Sequence, residues 1–201
     1  MSEVDRFDRW AATYERSYLQ RLVFEPVHQT MLSVAVAERP NAAAILDVGC
    51  GTARLLRAAE QIFPRARLEG VDAAGEMVRQ AQAMLPDGSR IHLRQAAAEK
   101  LPFENGSFDL VFSTMTFHHW ADQRAGVSEV ARVMTPSGRW LLADFVASGL
   151  MRYVSTLLRL RKFPARSMLD PMLSAAGLRV FGRHRVRGVG SQVPVLVIGR
   201  S

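Results

Sequence analysis

Ile45-Leu46-Asp47-Val48-Gly49-Cys50-Gly51-Thr52-Ala53-Arg54 is the stretch on which the fold turns. A short apolar run ends in a Gly-x-Gly turn. The chain then places Leu55, Leu56, Ala59 and Ile62–Phe63 on one helical face before Pro64 closes the segment. Buried strand, glycine turn and helix in that order read as the opening of a βαβ unit. Glycine is expected there because a Cβ would keep a ligand from resting on the backbone. Nucleotide-binding folds of several kinds share this much.

Outward from the turn, the same alternation repeats. Leu68–Val71, Ile91–Gln95, Phe108–Ser113 and Trp140–Phe145 are short apolar runs bounded by Gly, Asp, Pro or Ser, and read as buried strands. Gly75–Leu85 and Ala121–Met134 carry apolar residues at helical spacing. Strand and helix in alternation predict a parallel sheet wrapped by helices. Residues 4–38 contain no strand candidate and read as two helices broken near Phe24-Glu25-Pro26. Beyond the fifth strand, helices over Leu150–Phe163 and 166–176 precede two closing strands, Leu178–Val186 and Val193–Ile198, joined through Gly188-Val189-Gly190. No composition shift marks a linker, so residues 1–201 read as a single domain. Its parts are a helical lid over 1–40, a core over 41–146, and basic cap helices with closing strands over 147–201.

The 201 residues are 48% hydrophobic and 22% charged, a globular balance long enough to bury a sizeable core. No apolar run approaches the length of a membrane span, and the acidic start Met1-Ser2-Glu3-Val4-Asp5 lacks the apolar stretch of a secretory signal. Cys50 is the only cysteine, which excludes an internal disulfide and a cysteine-rich zinc cluster. A cytoplasmic protein is the expectation. The formal charge of +7 is unevenly placed. Residues 147–201 hold ten basic groups and one acid, Asp170, whereas residues 1–146 hold sixteen basic and eighteen acidic groups.

Asp72 ends the second strand, twenty-one residues past Gly51, where a carboxylate can accept both hydroxyls of a ribose. A tight turn with a helix-capping aspartate is the alternative. Asp47 stands two residues before the first glycine. An acid there repels a pyrophosphate and suits a ligand carrying an ammonium or sulfonium group. S-adenosylmethionine carries both and no phosphate, so the charges favour it over a dinucleotide.

Ile45–Thr52 resembles motif I of class I S-adenosylmethionine-dependent methyltransferases. Gly70-Val71-Asp72 with Glu76-Met77 is similar to that family's second-strand acid and its continuation. Ala98-Glu99-Lys100-Leu101-Pro102-Phe103, Ser107-Phe108-Asp109-Leu110-Val111, Phe117-His118-His119-Trp120 and Glu129–Arg139 resemble the later motifs of the small-molecule branch, type 11. The resemblance covers about residues 40–146. It implies an α/β, Rossmann-like sheet of seven strands in the order 3-2-1-4-5-7-6, strand 7 antiparallel, flanked by helices. It also implies S-adenosyl-L-methionine as cofactor, lying along Asp47, Gly49, Gly51, Asp72, Ala73, Met77, Ala97, Ala98, Glu99 and Thr114. Phe7–Glu15 resembles a lid stretch of many type 11 members, with Tyr14 near the methionine end. Ala97 stands where many members carry an aspartate that bonds the adenine amino group. That bond is therefore missing or supplied otherwise, by Glu99 for example.

Methyl transfer asks a protein to align a nucleophile, exclude water and, for some acceptors, remove a proton. His118 and His119 follow the fourth strand at the sheet end where α/β folds bind ligands, and either can serve as general base. A structural histidine is the alternative. Adjacent side chains diverge, so one of the pair is expected to face the cleft. Trp120 reads as packing, and His28 as a candidate lining residue of the acceptor pocket. The acceptor is expected to be a small or lipid-like molecule. The arginines of the last quarter suit an anionic one, and the Leu150–Phe163 helix allows peripheral contact with an anionic membrane. Nucleic acid fits less well, since no RNA-binding signature or interleaved aromatic platform is present. The rival of another class is a protein that binds the cofactor without methylating; a nicotinamide-dependent oxidoreductase is a second, opposed by Asp47.

Overall fold

The computed structural model describes residues 18–144, 166–187 and 193–201, with side chains described from residue 24 and, in the second segment, from residue 168. The candidate segments Phe7–Glu15 with Tyr14, Leu150–Phe163 and Gly188-Val189-Gly190 lie outside the described residues.

Seven strands form one sheet: β1 (Ala44–Val48), β2 (Arg67–Asp72), β3 (Ile91–Gln95), β4 (Phe108–Thr114), β5 (Met134–Ala143), β6 (Leu178–His184) and β7 (Val195–Arg200). Their order is β3-β2-β1-β4-β5-β7-β6. The first five are parallel, and β7 runs antiparallel to both β5 and β6. The helices are α1 (Tyr18–Glu38), α2 (Arg54–Ile62), α3 (Gly75–Ala83), α4 (Gln123–Val133) and α5 (Arg166–Ala175), with a short 3-10 turn at Phe117–His119.

The central strands are predominantly apolar because both faces are covered. Ile45, Leu110, Phe112 and Leu141 point to a layer made with α1, α2 and α3. Leu46, Val111, Trp140 and Leu142 point the opposite way, to α4 and α5. Full burial of each such side chain contributes about 1.5–3 kcal/mol. One buried polar pair is satisfied within the sheet: Trp140 Nε1 of β5 donates to Ser113 Oγ of β4 at 3.1 Å. Arg132 on α4 fastens the chain that leads into β4, donating to the carbonyls of Leu101 and Phe103 and to Glu129.

Two readings of the sequence are corrected. The proline at 26 does not break the first helix, which runs unbroken from Tyr18 to Glu38. Proline's fixed φ is a helical one, so its cost there is a lost donor and a local clash. Burial of Val27, Met31, Val34 and Ala35 against the sheet offsets it. The fifth strand begins at Met134, six residues before the run at Trp140, because Met134 already pairs with Phe108 ahead of an irregularity in the β4–β5 ladder. Among the described residues no helix is long and apolar enough to cross a membrane.

Candidate active site

The parallel strands point their carboxyl ends to one rim of the sheet, and the chemistry-bearing residues collect there. Gly49 and Gly51 both take positive φ, +79° and +51°, as does Ala53 at +58°. The loop is pinned to the neighbouring strand, since the N–H groups of Gly49 and Cys50 donate to Val71 O at 2.8 and 3.0 Å. The two glycines serve different ends. A Cβ on Gly49 would lie 2.1 Å from Thr116 Oγ1, so this position is small to admit a side chain of the protein itself. A Cβ on Gly51 would meet nothing within 4 Å, so the open space of the loop lies there.

Asp72 closes β2 against this loop. Its Oδ2 accepts the N–H of Gly51 at 2.9 Å, and its Oδ1 accepts the N–H of Ala74 at 2.9 Å. A carboxylate offers about four acceptor positions, so these two bonds hold its plane without exhausting it. Ala73 lies in the turn between Asp72 and α3, with its carbonyl accepting Gln95 Nε2 at 3.0 Å, and Met77 is buried on α3.

Asp47 lies deeper. It is 2% exposed, and its Oδ1 has no hydrogen-bond partner among the described residues. Burial, with the nearby Asp72 charge adding, pushes its carboxyl up to about 8. The same surroundings push the thiol of Cys50 well above its usual range. A cleft lined by Asp47, Gly49, Gly51, Arg54, Thr114 and His28 opens in front of these groups. His28 comes from α1, edge-on to Phe24 at 5.8 Å; burial and the Arg54 charge push it down to about 4. It therefore borders the glycine-loop cleft. Thr114, at the end of β4, is buried and donates to Met31 Sδ of α1 at 3.1 Å.

The two histidines do not diverge as adjacent side chains would in a strand. The 3-10 turn brings their rings to 3.9 Å between centroids, 43° from parallel. His118 Nδ1 lies 2.7 Å from Asp144 Oδ1, and its backbone N–H donates to Asp144 Oδ2 at 3.0 Å. Both side chains are buried, 5% and 4% exposed. Trp120 packs on Phe117 and stacks parallel to Trp140. Ala97 is exposed and Ala98 buried, while Glu99 Oε1 accepts the N–H of Asp122 at 2.9 Å, which ties it to the start of α4. Asp144 is the site residue that the sequence reading misses. An acid closing Leu141-Leu142-Ala143 is the same signal as Asp47 inside Ile45–Val48.

Residues 46–142 match the model of a family described as a methyltransferase domain. The chain belongs to this methyltransferase family. It is 34% identical over 149 residues to the methyltransferase YcgJ of Bacillus subtilis, covering 72% of this chain and 58% of that one. With a malonyl-[acyl-carrier protein] O-methyltransferase of Geobacter sulfurreducens it shares 38% identity over 141 residues, 69% of this chain and 51% of the other. The chain thus spans about half the length of the curated relatives it matches. The fold of magnesium protoporphyrin IX methyltransferase from Synechocystis PCC 6803, solved with bound S-adenosylhomocysteine, superposes with a TM-score of 0.75 at 20% identity, covering 98% and 95% of the two chains.

S-adenosylmethionine is the cofactor of this class of methyltransferase domain, and the residues present fit it. The unpartnered, buried Oδ1 of Asp47 suits an ammonium group, and the space over Gly51 admits a ligand against the backbone. Among the described residues no group of three or more His, Cys, Asp or Glu could hold a metal ion.

Proposed function

We propose that the protein is an S-adenosylmethionine-dependent methyltransferase acting on an oxygen nucleophile of a small-molecule or lipid-like acceptor, with His118 as general base. The observation that carries this reading is the buried His118–Asp144 pair at the carboxyl-end rim. The cofactor, when bound, supplies an electrophilic methyl carbon on a sulfonium. Asp47 would receive the cofactor's ammonium, Asp72 its ribose hydroxyls, and Gly51 would let it approach the backbone. Asp144 accepts the Nδ1–H of His118, which leaves the lone pair on Nε2. His118 would take the acceptor's hydroxyl proton at Nε2 while the methyl group exchanges its bond to the sulfonium sulfur for one to the acceptor oxygen, the thioether S-adenosylhomocysteine being what leaves. The Asp144 carboxylate would steady the resulting imidazolium. His119, whose ring lies tilted against the His118 ring at 3.9 Å between centroids, would limit its rotation. The O-methyltransferase name of the Geobacter relative supports an oxygen acceptor.

The test combines binding with turnover. S-adenosylhomocysteine at one hundred times its dissociation constant should stabilise the protein by about 2.7 kcal/mol, and NADH should not. Lipid and aqueous extracts incubated with labelled methyl donor should yield a labelled methyl ether or ester. Cofactor binding with no labelled product from any extract would make the protein a binder without catalysis.

A further inference from the structure

Strand β6 is an edge of the sheet; among the described residues it pairs only with β7. After buried Leu178 its side chains are exposed or half-exposed, Phe181 at 45%. Arg179 and Arg183 lie in the strand, Arg185 and Arg187 follow at alternate positions, and no acidic residue occurs in the sequence after Asp170. Among the described residues no carboxylate pairs with Arg183, Arg185 or Arg187. One or two charges suffice to guard an edge against aggregation. A run of one sign without counter-charges repels itself, and an acidic partner relieves that repulsion.

The position of the run is also defined. His184 pairs with Val195, which pairs in turn with Ala143 of β5. Arg183 to Arg187 therefore stand at the same rim of the sheet as Asp144. Towards the other end, the β6–β7 register shifts between Val180 and Gly182. Phe181 there is clasped between the guanidiniums of Arg139 and Arg179, at 4.9 and 4.2 Å from its centroid. Two cations already lie over that ring, so it is a poorer platform for a nucleobase or wedge for a lipid bilayer than a bare ring. What the rim end of the edge presents is main-chain donors and acceptors flanked by guanidiniums. Another peptide backbone matches the first and carboxylates match the second.

We propose that the outer edge of β6 from Gly182, with the residues that follow it to Arg187, docks an extended acidic segment of a partner protein, beside the proposed methyl-transfer site. The probe is a labelled soluble peptide alternating Glu and Val, followed by fluorescence anisotropy on the whole chain. It is compared with a peptide of equal charge in which every Val is Pro, which cannot add to a sheet. The Glu-Val peptide should bind at least about tenfold tighter than the Pro peptide. Binding should weaken by at least about tenfold in the Arg183→Glu/Arg185→Glu/Arg187→Glu variant and also in the corresponding Gln variant. Melting with S-adenosylhomocysteine, run on the same samples, should be unchanged by either substitution. Equal binding of the two peptides, equal binding by the variants, or tighter binding of a thymidine oligonucleotide or phosphatidylglycerol vesicles than of the Glu-Val peptide would overturn the proposal.

Discussion

Asp47 and Asp144 are both buried acids at the carboxyl ends of parallel strands, and they differ in one respect. Asp144 has both oxygens engaged, Oδ1 by the ring and Oδ2 by the backbone N–H of His118. Asp47 has an oxygen with no hydrogen-bond partner among the described residues. Burying a polar atom unsatisfied costs about 1–3 kcal/mol, so a protein keeps such an atom where a ligand will complete it. One region is finished before any ligand arrives and is built to hold a side chain still. The other is left incomplete and is built to bind.

The largest effect should come from the finished region. His118→Ala should lower kcat by about 10²–10⁴-fold, the range for a positioned base, while the melting shift with S-adenosylhomocysteine persists. An equal loss of cofactor binding would erase the distinction between the two regions. Next are the two glycines. Gly49→Ala, with a Cβ driven into Thr116 and a positive φ, should cost roughly 2–4 kcal/mol of stability in a denaturant melt. Gly51→Ala should cost about 1–2 kcal/mol from φ alone, yet weaken S-adenosylhomocysteine binding more than its stability cost suggests. If Gly51→Ala left affinity untouched, the open space over it would not be the cofactor's.

Asp47→Asn should weaken S-adenosylhomocysteine by roughly 10–100-fold and change the shape of its pH dependence. On the proposed binding mode the ligand's ammonium would pair with an ionised Asp47, which must first lose a proton held up to about pH 8. Affinity should therefore climb up to about tenfold per pH unit towards 8. Above that it should fall, as an amino group of pKa about 8 deprotonates. Calorimetry on the Asn variant should show the rising limb gone. The smallest effect concerns the protein without ligand. His28, lowered from 6.5 to about 4, makes stability rise with pH across that window, because the unfolded chain holds the extra proton. Asp47, raised from 3.8 to about 8, makes stability fall across its own window, because the folded chain holds it. The two oppose each other between about pH 4 and 6.5. From 6.5 to 8 Asp47 acts alone, and stability should fall by up to about 1.4 kcal/mol per pH unit, a slope absent in Asp47→Asn.

The strand–helix alternation and the glycine loop were legible because their signals are local, whereas the order of the sheet followed only from the resemblance to the methyltransferase family. The run from Ile45 to Arg54 contains its strand, turn and helix start within one window, and Asp72 comes at a fixed remove. The His118–Asp144 pair was half legible. His118 and His119 stand out as titratable residues after a strand, but the partner of His118 lies 26 residues on, brought near by the pairing of β4 with β5. Pro26 misleads for the opposite reason: a local helix breaker is overridden by distant packing of Val27 and Met31. The reason for Gly49 is equally hidden, since nothing in sequence connects it to Thr116.

The bond from Gly51 to Asp72 has a consequence for which molecules are turned away. A glycine loop at a helix start gathers amide hydrogens and so attracts anions, phosphate above all. Here that attraction is already answered from within, by a carboxylate fixed in the neighbouring strand. The loop carries its own counter-ion. A phosphorylated ligand arriving at this helix start meets one negative charge in its seat and a second acid, Asp47, behind it. Rejection of the far more abundant phosphate-bearing nucleotides is thus written into the resting protein, before any recognition of the right ligand takes place.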